Sequence, residues 1–200
     1  MAKKLESNLK NMFLSLTFIS MGMSAALGYV YLLTKDPIVA ASKAAETNAI
    51  KEVVPAFDNT PEAKEVDGLV FYEATKEGTP VGYAIKTYTE KAFSGRFDLM
   101  VGLLPDGSIN QIFVLNQKET PGLGTKIKDP KFKDQFLKKN PGNWKMTVKK
   151  DGGEVDAISA ATISSRAFCD AVQKAYDIYM KNIGNQQSLT LPNDSTIKGE

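Results

Sequence analysis

"FDLMVGLLPDGSINQIFVLN", residues 97–116, decides how this chain folds. Two apolar runs, 97–104 and 109–116, flank Pro105, Asp106 and Gly107, the residue types that a tight reversal between antiparallel strands requires. The spacing therefore predicts a hairpin. Upstream, "LVFYEA" (69–74) and "VGYAIKTY" (81–88) repeat the near-two period of half-buried strands, with Asp67-Gly68 and Glu77-Gly78 as turn signals. Downstream the pattern predicts a short helix over 131–139, a strand over 144–148, a turn at Asp151-Gly152-Gly153 and a final helix starting near Thr162. In that helix Ile163, Ala167, Phe168, Ala171, Val172, Ala175, Tyr176 and Tyr179 share one broad face, which is expected to pack on the sheet. Cys169 reads as a small residue beside this core rather than a reactive thiol.

Before this region comes "MFLSLTFISMGMSAALGYVYLL" (12–33), uncharged throughout. As a helix rising about 1.5 Å per residue it would extend about 33 Å, enough to cross a bilayer. It exceeds the roughly 7–15 residues of a signal-peptide apolar region, so an uncleaved anchor is the reading taken over a leader cleaved near Val39–Ser42. Lys3, Lys4 and Lys10 precede it, whereas Lys35 is met at once by Asp36, which places the N-terminus in the cytoplasm and the bulk of the chain outside. The fold class is thus α+β, a mostly antiparallel sheet packed with helices and preceded by one N-terminal transmembrane helix. Five segments follow: a cytoplasmic N-terminus (1–11), the span (12–33), a connecting helix (34–56), an extracytoplasmic domain (57–184) and a mobile polar tail (185–200).

Composition narrows the chemistry. A net charge of +2 with no basic stripe gives no footprint for nucleic acid. One cysteine and no histidine rule out an intramolecular disulfide, a histidine-based triad and the usual zinc sites. No side chain stands out as a general acid or base, and no metal or catalytic residue is assigned. Chemistry, if present, would come from a bound group.

Two stretches could hold one. "DAISAATISS" (156–165) brings Ser159, Thr162, Ser164 and Ser165 to a helix start, where unpaired backbone N–H groups and the helix dipole favour an anion. Ala160 and Ala161 keep the backbone approachable, and Arg166 could supply a countercharge. The plainer reading is that Ser159 or Thr162 caps the helix. "NQKETPGLGTKI" (116–127) is a compact glycine-proline loop in which Gly122 and Gly124 could let a flat ring approach; alone, such a loop is usually only a connection.

Taken together, the N-terminal membrane helix, "KETPGLGTKI" and "DAISAAT" resemble the FMN-binding domain family shared by the G subunit of the Rnf electron-transport complex and the C subunit of the sodium-translocating NADH:quinone reductase, over most of residues 10–182. In that family an Asp-x-x-Ser/Thr-Gly-Ala-Thr motif receives FMN through a phosphoester on its last threonine, added by a flavin transferase. Asp156, Ser159, Ala161 and Thr162 match; Ala160 stands where the family has glycine. Glu119, Thr120, Pro121, Gly122, Leu123 and Gly124 match the loop that lies beside the flavin. The resemblance implies covalent FMN on Thr162; the helix end then offers Ser164, Ser165 and backbone amides as candidate donors to its phosphate, and Glu119 or Lys126 is the residue expected to tune the local field. It further implies an electron carrier in the inner membrane, working with membrane, iron–sulfur and flavin subunits in ferredoxin:NAD electron transfer coupled to sodium or proton movement. Length favours the Rnf G subunit. The reductase C subunit, a stand-alone flavin reductase and a flavin-free scaffold are the alternatives.

Overall fold

The computed structural model describes residues 8–184. The tail reading for 185–200 lies outside the described residues. The chain divides into two compact units, Met1–Ala45 and Glu46–Glu200.

In the first unit, helix α1 (Leu9–Val53, its last turns belonging to the second unit) carries a segment long and apolar enough to cross a membrane. The hydroxyls of Thr17 and Thr34 donate back to the carbonyls of Phe13 and Val30, at 2.9 Å each, so both donors are paired within the helix itself. Pro37 lies inside α1 rather than opening a second helix, so the expected boundary at 34 is not a break in helical structure.

The second unit is built on a five-stranded antiparallel sheet in the order β1-β2-β3-β4-β5: β1 Ala63–Val66, β2 Leu69–Lys76, β3 Thr79–Thr89, β4 Phe97–Leu103 and β5 Ile109–Asn116. The 97–116 hairpin forms as read; Gly107 takes φ +80° and its N–H donates to the Leu104 carbonyl at 2.9 Å. Asp67-Gly68 and Glu77-Gly78 both have positive φ, the backbone of tight hairpin turns that match strand twist. β1 escaped the sequence reading because "AKEV" is a short, charged edge strand with no buried face to impose alternation.

Both faces of the sheet are covered. On one, α3 (Thr162–Tyr179) packs Ala167, Phe168, Ala171, Val172, Ala175 and Tyr179 against Ile85, Phe97, Leu99 and Val101. Thr87 ties the layers together by donating its hydroxyl to the Ala171 carbonyl at 3.0 Å. On the other, Ala49, Ile50 and Val53 at the end of α1 pack on Ala74, Ala84 and Met100. Gly102 is obligatory there, since a Cβ would collide with the Val53 carbonyl. Double coverage explains why β4 reads as a continuous apolar run.

The 131–139 helix shrinks to α2 (Pro130–Lys133) and a 3-10 turn, Asp134–Phe136. The expected strand at 144–148 is absent: only an isolated bridge, Val148 to Val155, forms. Its alternating Trp144, Met146 and Val148 pack into the core, Trp144 edge-on to Phe136 at 5.5 Å, while the backbone folds back on its own 153–155 segment instead of joining the sheet. Burial thus reproduced a strand-like pattern without a partner strand.

Candidate functional site

The 119–124 loop follows β5, and the 156–165 stretch leads into α3; the fold brings them together. Between them lies a cleft of about 330 Å³ lined by Phe93, Glu119, Thr120, Leu123, Gly124, Ala160, Ala161, Thr162, Ile163 and Ser164. Pro121, Gly122 and Ser159 are exposed and do not line it, and Ser165 is fully buried beneath it.

The loop is closed by its own bonds. The Leu123 N–H donates to the Thr120 carbonyl at 3.2 Å and the Gly122 N–H to the Thr125 hydroxyl at 3.0 Å, with Gly122 at φ +75°. Gly124 is glycine for a different reason from the one its exposure to a ring would suggest. It is buried, and a Cβ there would strike the Glu119 carboxylate. Glu119 is 5% exposed, and its carboxylate accepts from the Ser94 N–H at 2.9 Å through Oε1 and from the Ser164 hydroxyl at 2.6 Å through Oε2.

The helix start is held by a turn. The Ala161 N–H donates to the Ile158 carbonyl at 3.0 Å, and Ala160, at the third position, takes φ +62°. This is backbone that glycine adopts freely and L residues resist. The N-cap residue is Ala161, with no side-chain cap, so neither Ser159 nor Thr162 caps the helix as the plainer reading had it. Ser165 does the stitching: its hydroxyl donates to the Ala161 carbonyl and accepts from the Ile158 N–H, both at 3.0 Å. Because Ser165 is the first residue of α3 whose N–H reaches a backbone acceptor, the N–H groups of Thr162, Ile163 and Ser164 are left at the positive helix end. The half-exposed Thr162 hydroxyl has no hydrogen-bond partner among the described residues.

Apart from Glu119, the charges assigned from sequence lie elsewhere. Arg166 is spent on Asp151 in a two-point pair, Nε and Nη2 each 2.7 Å from a carboxylate oxygen, and this bonding holds the Asp151 carboxyl below the ordinary carboxylate range. Lys126 is exposed and does not line the cleft. Asp156 pairs with Lys149 at 2.7 Å, and its backbone is clamped by Gln135, which accepts from its N–H at 2.8 Å. Burial pushes the Cys169 thiol up to about 12, in keeping with an inert core cysteine.

Two apolar residues were missed or misplaced. Phe93, in the loop between β3 and β4, is 67% exposed and carried no sequence signal beyond being an aromatic in a polar loop. Ile163 does not pack on the sheet: it is 47% exposed and lies on the cleft wall. With Leu123 they are the large apolar residues left exposed outside α1 among the described residues, and all three line this one cleft. A larger groove of about 620 Å³ runs along α3 from Ile163 to Gln173, but four of its charges are paired with one another, Lys91 with Asp170 and Arg166 with Asp151, and it lacks both Thr162 and the loop.

The FMN-binding domain family profile matches residues 93–177, beginning at Phe93 itself and taking in every residue that lines this cleft. The G subunit of the ion-translocating oxidoreductase complex of Haemophilus influenzae is 33% identical, the match covering 88% of this chain and 92% of that protein. Its namesake from Pseudoalteromonas atlantica is 40% identical over 56% of this chain and 54% of its own length. The chain belongs to the family of G subunits of ion-translocating oxidoreductase complexes. The crystal structure of NqrC from Shewanella oneidensis shares the fold, with a TM-score of 0.51, 20% identity and coverage of 70% of this chain and 71% of that one.

Proposed function

We propose that this chain is an electron-carrying subunit of a membrane-bound, Rnf-type ion-translocating oxidoreductase, with FMN joined by a phosphoester to the Thr162 hydroxyl. The observation that carries the reading is convergence: Phe93, Leu123 and Ile163 are exposed around the cleft that also presents the unpartnered Thr162 hydroxyl. Exposed apolar residues gathered in one place cost solubility unless something covers them.

The residues fit the group. The cleft volume lies within the roughly 300–1,000 Å³ of small-molecule sites, its walls suit a planar ring, and the N–H groups of Thr162, Ile163 and Ser164 suit a phosphate. FMN supplies one- and two-electron redox chemistry when bound. Thr162 fixes it by a covalent bond, so a carrier outside the cytoplasm cannot lose it by dissociation. The helix end offsets phosphate charge, Phe93 and Leu123 limit water at the ring, and Glu119 joins the loop to α3. No side chain is asked to move a proton.

The remaining parts of the reading follow from family and sequence. The span at 12–33 anchors the chain in the inner membrane with its N-terminus inside and the 57–184 domain outside. A flavin transferase loads it, and neighbouring iron–sulfur and flavin subunits exchange electrons with it in ferredoxin:NAD transfer coupled to sodium or proton movement. The test is Thr162→Val, which keeps shape and removes the hydroxyl. Co-expressed with the flavin transferase, wild type should give a flavin-fluorescent band on a denaturing gel and the variant a dark band of equal amount. Fluorescence retained in the variant would place the linkage elsewhere.

A further inference from the structure

We infer that Glu119 is a positioning residue whose buried negative charge, set in the cleft wall, lowers the reduction potential of the flavin held there; the inference rests on the flavin reading above. Glu119 is only 5% exposed, yet none of the ion pairs among the described residues includes it. Leaving a carboxylate buried without a cation is costly, and a neutral side chain of the same shape would avoid the cost. The surroundings are instead built to keep it. Ser94 and Ser164 each give it one hydrogen bond, and Gly124 leaves out the Cβ that would displace it.

The two donors come from two other segments, the Phe93–Gly95 loop and the first turn of α3, and the carboxylate joins both to its own 119–124 loop. One carboxylate therefore fixes the position of Phe93, Leu123 and Ile163 relative to one another, through their chain neighbours Ser94, Gly124 and Ser164. A negative charge fixed in the wall also opposes the arrival of electrons on a neighbouring ring, and low local dielectric strengthens that opposition. Position and charge are separable by mutation. Glu119→Gln keeps the shape and an acceptor for Ser94 but removes the charge. Ser164→Ala keeps the charge and removes the hydroxyl dipole that partly offsets it.

The experiment is a redox titration of the flavin-loaded full chain in detergent, followed by flavin absorbance. Glu119→Gln should favour the reduced form at least tenfold, an upward shift of about 30 mV for a two-electron couple. Ser164→Ala should move the potential in the opposite direction, by two- to threefold in the equilibrium. A purely structural role would shift both variants the same way, and either that result or no shift in either variant overturns the inference. Should Glu119→Gln fail to accumulate, Ser164→Ala decides alone: a potential unchanged or raised refutes it. Wild-type chain that carries no flavin would remove the flavin reading and this inference with it, whereas loaded protein with unmoved potentials removes only the inference.

Discussion

Replacing Ala160 by glycine should stabilise the domain. Ala160 holds φ +62° in the turn that closes between the Ile158 carbonyl and the Ala161 N–H, and it is exposed, so packing does not enter. A left-handed backbone costs an L residue roughly 1–2 kcal/mol, and glycine gives back about 0.5–1 kcal/mol through the greater freedom of its unfolded chain. The net gain for Ala160→Gly is about 0.5–1 kcal/mol, or roughly 1–4 °C in Tm for a domain of this size. Ala160→Val, which adds a β-branch at the same backbone angle, should instead lose about 1–2 kcal/mol. Trp144, the single tryptophan and packed edge-on to Phe136, reports unfolding of the detergent-solubilised chain by fluorescence. If the glycine variant is less stable than wild type by about 1 kcal/mol, or the valine variant is as stable as wild type, the strained-turn account is wrong.

Three further outcomes follow from the same structure. Phe93→Ser should change stability by less than about 0.5 kcal/mol because the ring is 67% exposed, yet it should increase quenching of the bound flavin by iodide, measured by fluorescence. Gly102→Val should destabilise by more than about 3 kcal/mol, since its side chain would occupy the place of the Val53 carbonyl; a near-normal melting curve would contradict the packing of the α1 end on the sheet. Glu46 is half-buried; burial alone would raise its pKa, but hydrogen bonds from Lys86 at 2.8 Å and Tyr72 at 2.6 Å outweigh it, so the carboxyl titrates below its ordinary value. Its stabilising contribution is then complete above the ordinary carboxylate range and lost as pH falls through the lowered value. Glu46→Gln should cost about 1–2 kcal/mol at neutral pH and flatten the acid limb of the stability profile.

The fold was legible where local chemistry and burial agree. Pro105, Asp106 and Gly107 set the β4–β5 hairpin, and α3 announced itself by the spacing of Ala167, Phe168, Ala171, Val172 and Ala175. It was illegible where one signal imitated another. Trp144, Met146 and Val148 alternate because they line the core, without any strand to pair with, while β1 pairs with only Val66, at its end, packed against the core. The site divides in the same way. The resemblance marked both loops, and the cleft brings Glu119, Thr120, Leu123, Gly124 and Ala160 to Thr162 and Ser164. Phe93 arrives from the β3–β4 loop, a contact that no local pattern encodes, and the capping role passed to a backbone turn and Ser165 because Ala161 occupies the N-cap position. The positive φ at Ala160 supplies a physical reason for the glycine that the resemblance leads one to expect at that position.

The central claim is that Thr162 carries the flavin. Proteolysis of the chain purified from membranes that also contain the flavin transferase, followed by fragmentation mass spectrometry, tests it directly. The account predicts one modified peptide, heavier by an FMN phosphoester that fragmentation assigns to Thr162. An unmodified Thr162 peptide throughout, or a flavin mapped to another residue, would contradict it.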